Sequence, residues 1–136
     1  MSNPLNRDKI VIGVDDQSEN ILMLEGLIEA QGYTFFGCTS GLDCIALAQK
    51  ANPKLILLDI QMPGMDGYET CRRLRIIPAT RFVPIAFLTA RKASEDVRAG
   101  MAAGGNDFIV KPFNAERLLA RVEYWTNRKA SGASAA

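Results

Sequence analysis

Apolar residues in this chain come in short runs, each stopped by polar or charged residues before a longer stretch of helical spacing begins. Lys9-Ile-Val-Ile-Gly-Val14 runs into Asp15-Asp16, and Tyr33-Thr-Phe-Phe-Gly-Cys-Thr39 is rich in aromatic and β-branched side chains. In Pro53-Lys-Leu-Ile-Leu-Leu-Asp59 four consecutive aliphatic residues are closed by a carboxylate, and a Pro-Gly turn follows. Val83-Pro-Ile-Ala-Phe-Leu-Thr89 and Asp107-Phe-Ile-Val110 complete the series. Continuous apolar runs bounded by turn residues predict strands covered on both faces, the mark of a parallel sheet. Asp59 then stands at the carboxyl end of a buried strand, the edge where open α/β sheets bind ligands.

The segments between these runs predict five helices. Ser18 caps the first, which runs to about Gln31 with Ile21, Leu24, Leu27 and Ile28 on one face and Gly32 as its stop. Ser40 caps a helix from Gly41 to about Lys50, ended by Asn52-Pro53. Asp66 caps one to about Arg75, Ser94 one to about Ala103 before Gly104-Gly105, and Asn114 one to about Arg128. Pro84 takes the permitted first position of the fourth strand. Strict strand–helix alternation with short connections predicts an α/β fold, a doubly wound five-stranded parallel sheet with right-handed crossovers. One domain is expected over 1–129, and the small, polar stretch Ala130–Ala136 reads as a flexible tail or the start of a linker.

Composition narrows the chemistry by what it removes. The 136 residues suit one domain, and 48% apolar content is enough for a core without staples. Sixteen basic and fifteen acidic residues nearly cancel, so no electrostatic footprint for nucleic acid or an anionic membrane stands out. No run approaches the roughly 20 apolar residues of a membrane span. The polar N-terminus lacks a signal peptide's apolar core, and Cys38, Cys44 and Cys71 fit free thiols in a reducing cytoplasm. The chain has no histidine. That excludes Ser-His and Cys-His triads, histidine zinc sites and imidazole bases.

Parallel strands bring their trailing residues to one edge: Asp15 and Asp16 from the first, Asp59 from the third, Thr89 from the fourth, Lys111 from the fifth. Taken singly, Asp15-Asp16 reads as helix-start charge, Asp59 as a turn residue and Lys111 as a solvated cation. Together they concentrate three carboxylates around one ammonium, which favours a further cation. Oxygen-only ligands point to Mg²⁺, with Mn²⁺ as a substitute. A carboxylate beside such an ion, an ammonium and a hydroxyl is equipped to accept a phosphoryl group.

Val14-Asp15-Asp16, Leu57-Leu-Asp59-Ile-Gln-Met-Pro-Gly-Met-Asp-Gly67, Leu88-Thr89-Ala90 and Lys111-Pro112-Phe113 resemble the receiver domain of two-component response regulators, over about Lys9 to Arg128. The resemblance implies the flavodoxin-like strand order 2-1-3-4-5 and a cis bond at Lys111-Pro112. It implies that Asp59 takes a phosphoryl group from a sensor histidine kinase or histidine phosphotransfer protein, assisted by Lys111 and Thr89. Asp16, Asp59 and the main-chain carbonyl of Gln61 would bind Mg²⁺, with Asp15 holding it through water. Thr89 and Phe108 would form a switch pair that repacks the surface of the fourth helix, fifth strand and fifth helix for a downstream protein target. Receivers often dimerise on that surface, and Asp107 and Arg121 are candidates to pair across it. Such a switch works alone or as the receiver part of a larger regulator with an enzymatic or DNA-binding output, which Pro78-Ala-Thr-Arg81 faintly suggests. A Mg²⁺-dependent phosphohydrolase would need a second acidic residue just after the nucleophile, where Ile60 and Gln61 stand.

Overall fold

A computed structural model describes residues 6–90 and 93–128. The expected tail from Ala130 lies outside the described residues. The order of elements is β1 (Ile10–Val14), α1 (Ser18–Glu29), β2 (Thr34–Cys38), α2 (Gly41–Ala51), β3 (Leu55–Asp59), α3 (Gly67–Arg75), β4 (Ile85–Thr89), α4 (Ser94–Ala103), β5 (Asp107–Val110) and α5 (Ala115–Thr126). The strands form one parallel sheet in the order β2-β1-β3-β4-β5. This is the flavodoxin-like order the motifs imply.

Strand periodicity divides the core in two, because alternate side chains point to opposite faces. Ile12, Val14, Ile56, Leu58, Ile85, Phe87 and Phe108 pack on one face with Cys44, Ala48, Cys71 and Leu74 of α2 and α3. Val11, Leu55, Leu57, Ala86, Leu88 and Ile109 pack on the other with Leu24 and Ile28 of α1 and Leu118 and Val122 of α5. Every residue of β3 and β4 is buried. Continuous apolar runs mark the central strands for this reason, whereas the edge strand β2 leaves Phe36 exposed. Among the described residues no helix is long and apolar enough to cross a membrane.

Three of the five expected caps form: Ser40, Asp66 and Asn114 accept from the main-chain N–H of Asp43, Glu69 and Arg117. Two are displaced by one residue. Ser18 is the first helical residue of α1 behind Gln17, and Ser94 the first of α4 behind Ala93, neither cap making a side-chain bond. At α1 the Gln17 N–H, just ahead of the helix, donates to Asp15 Oδ1 at 3.0 Å, tying the helix start to the strand end. β4 begins after Pro84, whose carbonyl still accepts from Ile56 N at 3.0 Å. The Lys111-Pro112 bond is cis, as expected.

Candidate functional site

The parallel register pairs Val14 with Leu58, Asp59 with Leu88 and Thr89 with Val110, so the strands end on one edge. There Asp15, Asp16, Asp59, Gln61, Thr89 and Lys111 line one open cleft of about 780 Å³. The close approach of α3 shapes its wall. A Cβ added to Gly67 would lie 2.3 Å from the Asp59 carbonyl oxygen and 2.9 Å from Ile60 Cα. Glycine therefore lets the start of α3 rest directly on the end of β3, with Gly67 N–H donating to Ile60 O at 2.9 Å.

Lys111 Nζ lies at the centre, 2.8 Å from Asp15 Oδ2 and 3.3 Å from Asp59 Oδ1. Asp15 is fully buried, and Asp59 is 6% exposed. Burial, and then the charge of Asp15, push the Asp59 carboxyl from 3.8 up to about 6. Lys111 and the Gln61 N–H only partly offset this. Burial also acts to lower the Lys111 pKa, but its hydrogen bonds and charge attraction with Asp15 and Asp59 outweigh that, and the net shift is upward. Lys111 is thus a fixed cation, while Asp59 is a carboxylate held at a disadvantage.

Asp16 is exposed, and its carboxylate has no hydrogen-bond or ion-pair partner among the described residues. Ligand oxygens of Asp15, Asp16 and Asp59 come within 4.8 Å of one another. Three carboxylates against one ammonium leave an uncompensated negative charge, and an all-oxygen donor set with an open side suits a hard divalent ion. The residues present therefore fit Mg²⁺.

Phe108 is not in the cleft. It lies on the same face of the sheet as Phe87 and Thr89, 7% exposed, its ring 5.4 Å from that of Phe87. The ring fills the space beside Gly100, where an added Cβ would fall 2.4 Å from Phe108 Cζ. Asp107 and Arg121, candidates to pair across a dimer, pair with each other within this chain. The second Asp107 oxygen accepts from Trp125 Nε1 at 2.8 Å, so Asp107 has partners inside the chain for both oxygens. All three cysteines are buried and free, and burial first of all raises each thiol, Cys38 and Cys71 to about 11.

Two contributors to the cleft escaped the sequence reading. Asn20 lines it and donates from Nδ2 to Asp15 Oδ2 at 3.0 Å. Asp96 of α4 lines the outer wall and accepts from the Tyr68 hydroxyl of α3 at 3.2 Å. Asn20 stands in the first turn of α1, five residues after Asp15, a closeness in sequence that signals proximity. Nothing in the sequence brings Tyr68 to Asp96.

Comparison with known proteins gives a consistent picture. Residues 11–123 match the profile of the response regulator receiver domain. The chain is 37% identical over 119 residues to the response regulator PleD of Caulobacter vibrioides, covering 88% of this chain and 26% of that protein. It is 40% identical over 121 residues to the phosphate regulon transcriptional regulatory protein PhoB of Rhizobium meliloti, covering 88% and 52%. The chain thus spans about a quarter to a half of the length of these relatives. Among solved structures, the Vibrio cholerae chemotaxis protein CheY4 matches with a TM-score of 0.83 at 32% identity, covering 86% of this chain and 98% of that one. A sensor histidine kinase receiver domain from Pseudomonas aeruginosa, with a magnesium ion coordinated in its active-site cleft, matches with a TM-score of 0.82 at 28% identity, covering 88% and 98%. With the strand order, the acidic cleft and this match over most of its length, the chain belongs to the receiver domain family of two-component response regulators.

Proposed function

We propose that Asp59 is the phosphoryl acceptor of this receiver, charged by the phosphohistidine of a sensor histidine kinase or histidine phosphotransfer protein. The observation that carries this reading is the Lys111 ammonium lodged between Asp15 and Asp59 at the floor of an acidic, open cleft. An Asp59 oxygen attacks phosphorus, forming a P–O bond as the P–N bond to the imidazole breaks, and the departing imidazole takes up a proton. Lys111 faces the phosphoryl oxygens, and Thr89 stands at the adjacent strand end to donate a hydrogen bond. Asp16, Asp59 and the Gln61 carbonyl would hold Mg²⁺, with Asp15 acting through water. When bound, the ion neutralises charge that builds on the phosphoryl oxygens.

The new group adds about −1.5 to −2 charge to a site of fixed donors. Thr89 is drawn toward it, and the packing of Phe108 follows, altering the α4–β5–α5 surface that a downstream protein reads. Phe108 already occupies the inward place against Phe87 and Gly100. Phosphorylation then acts by stabilising that arrangement over alternatives. A phenyl ring has no hydroxyl to offer a partner, so the readout works through packing.

The domain acts as a switch; beyond accepting the group and slowly losing it, no catalytic activity is assigned to it. Ile60 and Gln61 follow Asp59 where a phosphohydrolase would carry its second acid. The length of the relatives supports a second setting, in which this receiver governs an output domain with enzymatic or DNA-binding activity. Buried free thiols suit a cytoplasmic location. The test is to label the protein with a small acyl phosphate and Mg²⁺, trap the adduct by borohydride reduction and map the modified peptide. Modification at Asp59 supports the proposal; modification elsewhere, or none, refutes it.

A further inference from the structure

The hydrogen bonds around Asp15 divide unequally between its two oxygens. Oδ1 accepts from Gln17 N at 3.0 Å, whereas Oδ2 accepts from both Asn20 Nδ2 at 3.0 Å and Lys111 Nζ at 2.8 Å. A carboxylate offers about four acceptor positions, two on each oxygen. Oδ2 is therefore saturated by protein donors, and the one remaining position lies on Oδ1.

This arrangement bears on Lys111, which is closer to Asp15 than to Asp59. To face a phosphoryl group on Asp59, the ammonium must relax its hold on a carboxylate that is fully buried. Taking the last donor away from a buried carboxylate oxygen incurs its whole desolvation penalty. Asn20 prevents that, because its amide keeps one donor on Oδ2 when the lysine leaves.

Resting on the reading of Asp59 as acceptor, we infer that Asn20 is a positioning residue for phosphoryl transfer, a neutral stand-in donor that frees Lys111 to move from Asp15 toward the incoming phosphoryl group. Asn20 touches neither the acceptor nor the phosphoryl group; it acts through Asp15. An apolar residue in its place leaves Lys111 as the sole donor to Oδ2 and ties the ammonium to Asp15. Its location in the first turn of α1, with Asn20 N–H donating to Gln17 O at 3.1 Å, fixes the amide relative to the strand end.

The test is a double-mutant cycle on the maximal rate of labelling by acetyl phosphate at saturating Mg²⁺. Asn20→Leu should lower that rate by about tenfold or more, the equivalent of one hydrogen bond to a charged group. In a Lys111→Ala background, where no ammonium has to leave, the same substitution should change the rate by less than about twofold. A merely structural role for Asn20 would slow both backgrounds alike, and that result overturns the proposal. So does an Asn20→Leu protein labelled at the wild-type rate. If Asn20→Leu does not fold, Asn20→Ala carries the same two expectations. Failure of the wild type itself to be labelled on Asp59 would refute the acceptor reading and this inference with it, whereas a labelled wild type with an additive cycle refutes the inference alone.

Discussion

If Asp59 is held in its charged form against the preference of its surroundings, replacing it with asparagine should stabilise the metal-free protein. The carboxyl is pushed from 3.8 to about 6, chiefly by burial and by Asp15. Roughly two pKa units correspond to ~3 kcal/mol between the two protonation states. An asparagine amide meets Lys111 less favourably than a carboxylate does, so the net gain at about pH 7.5 should be ~2 kcal/mol. That raises Tm by about 5–10 °C for a domain of this size. The sign follows from the raised value. The unfolded chain releases the Asp59 proton near its ordinary pKa, whereas the folded protein keeps it until about 6. The stability this group contributes is therefore present in acid and lost as pH rises through that window. Urea unfolding of wild type and Asp59→Asn in EDTA, followed by the emission of Trp125, the one tryptophan, reads the difference. The asparagine advantage should shrink toward zero as pH is lowered to about 4. An asparagine variant no more stable than wild type at neutral pH, or an advantage independent of pH, would refute the electrostatic account of the site.

Lys111→Ala should act in the opposite direction, destabilising the fold by about 3 kcal/mol in the same assay, since it strips the cation from a buried pair. It should leave Mg²⁺ binding in place while abolishing the phosphorylation-dependent difference in affinity for a downstream partner. An unaltered affinity difference would count against the role given to Lys111. Gly67→Ala should cost about 1–3 kcal/mol by urea unfolding, because the added Cβ meets main-chain atoms of Asp59 and Ile60 that a side-chain adjustment cannot relieve. Wild-type stability in that variant would show that α3 does not rest on the acceptor strand as described. Mg²⁺ affinity, measured by titration calorimetry, should weaken as pH falls below about 6, where Asp59 takes up its proton; an affinity flat across that range would contradict the raised carboxyl.

The fold was legible because its strongest signals are local and mutually consistent. The uninterrupted apolar run of β3 and β4 declares strands covered on both faces, and β2 betrays its edge position by mixing aromatic and polar residues. The cap at α1 was misplaced because Ser18 is a good cap by residue type, yet the helix is entered one residue earlier, at Gln17, whose N–H donates to Asp15 two residues upstream. In the cleft, Asp15, Asp16, Asp59, Thr89 and Lys111 were readable because parallel topology sends successive strand ends to one edge. Asn20 was not, since its amide earns a role only from the saturation of Asp15 Oδ2. The inward packing of Phe108 depends on the absence of a side chain at Gly100, which lies on the preceding helix yet meets the ring in space. Asp107 and Arg121 stand on consecutive elements, β5 and α5, and pair within the chain, a contact that residue types alone did not reveal.

The central claim is that Asp59 accepts a phosphoryl group, and intact-mass spectrometry tests it most directly. Wild-type protein incubated with acetyl phosphate and Mg²⁺ should gain the mass of one phosphoryl group, and Asp59→Asn, folded by circular dichroism, should gain none. Labelling of the asparagine variant at the wild-type rate would contradict the account.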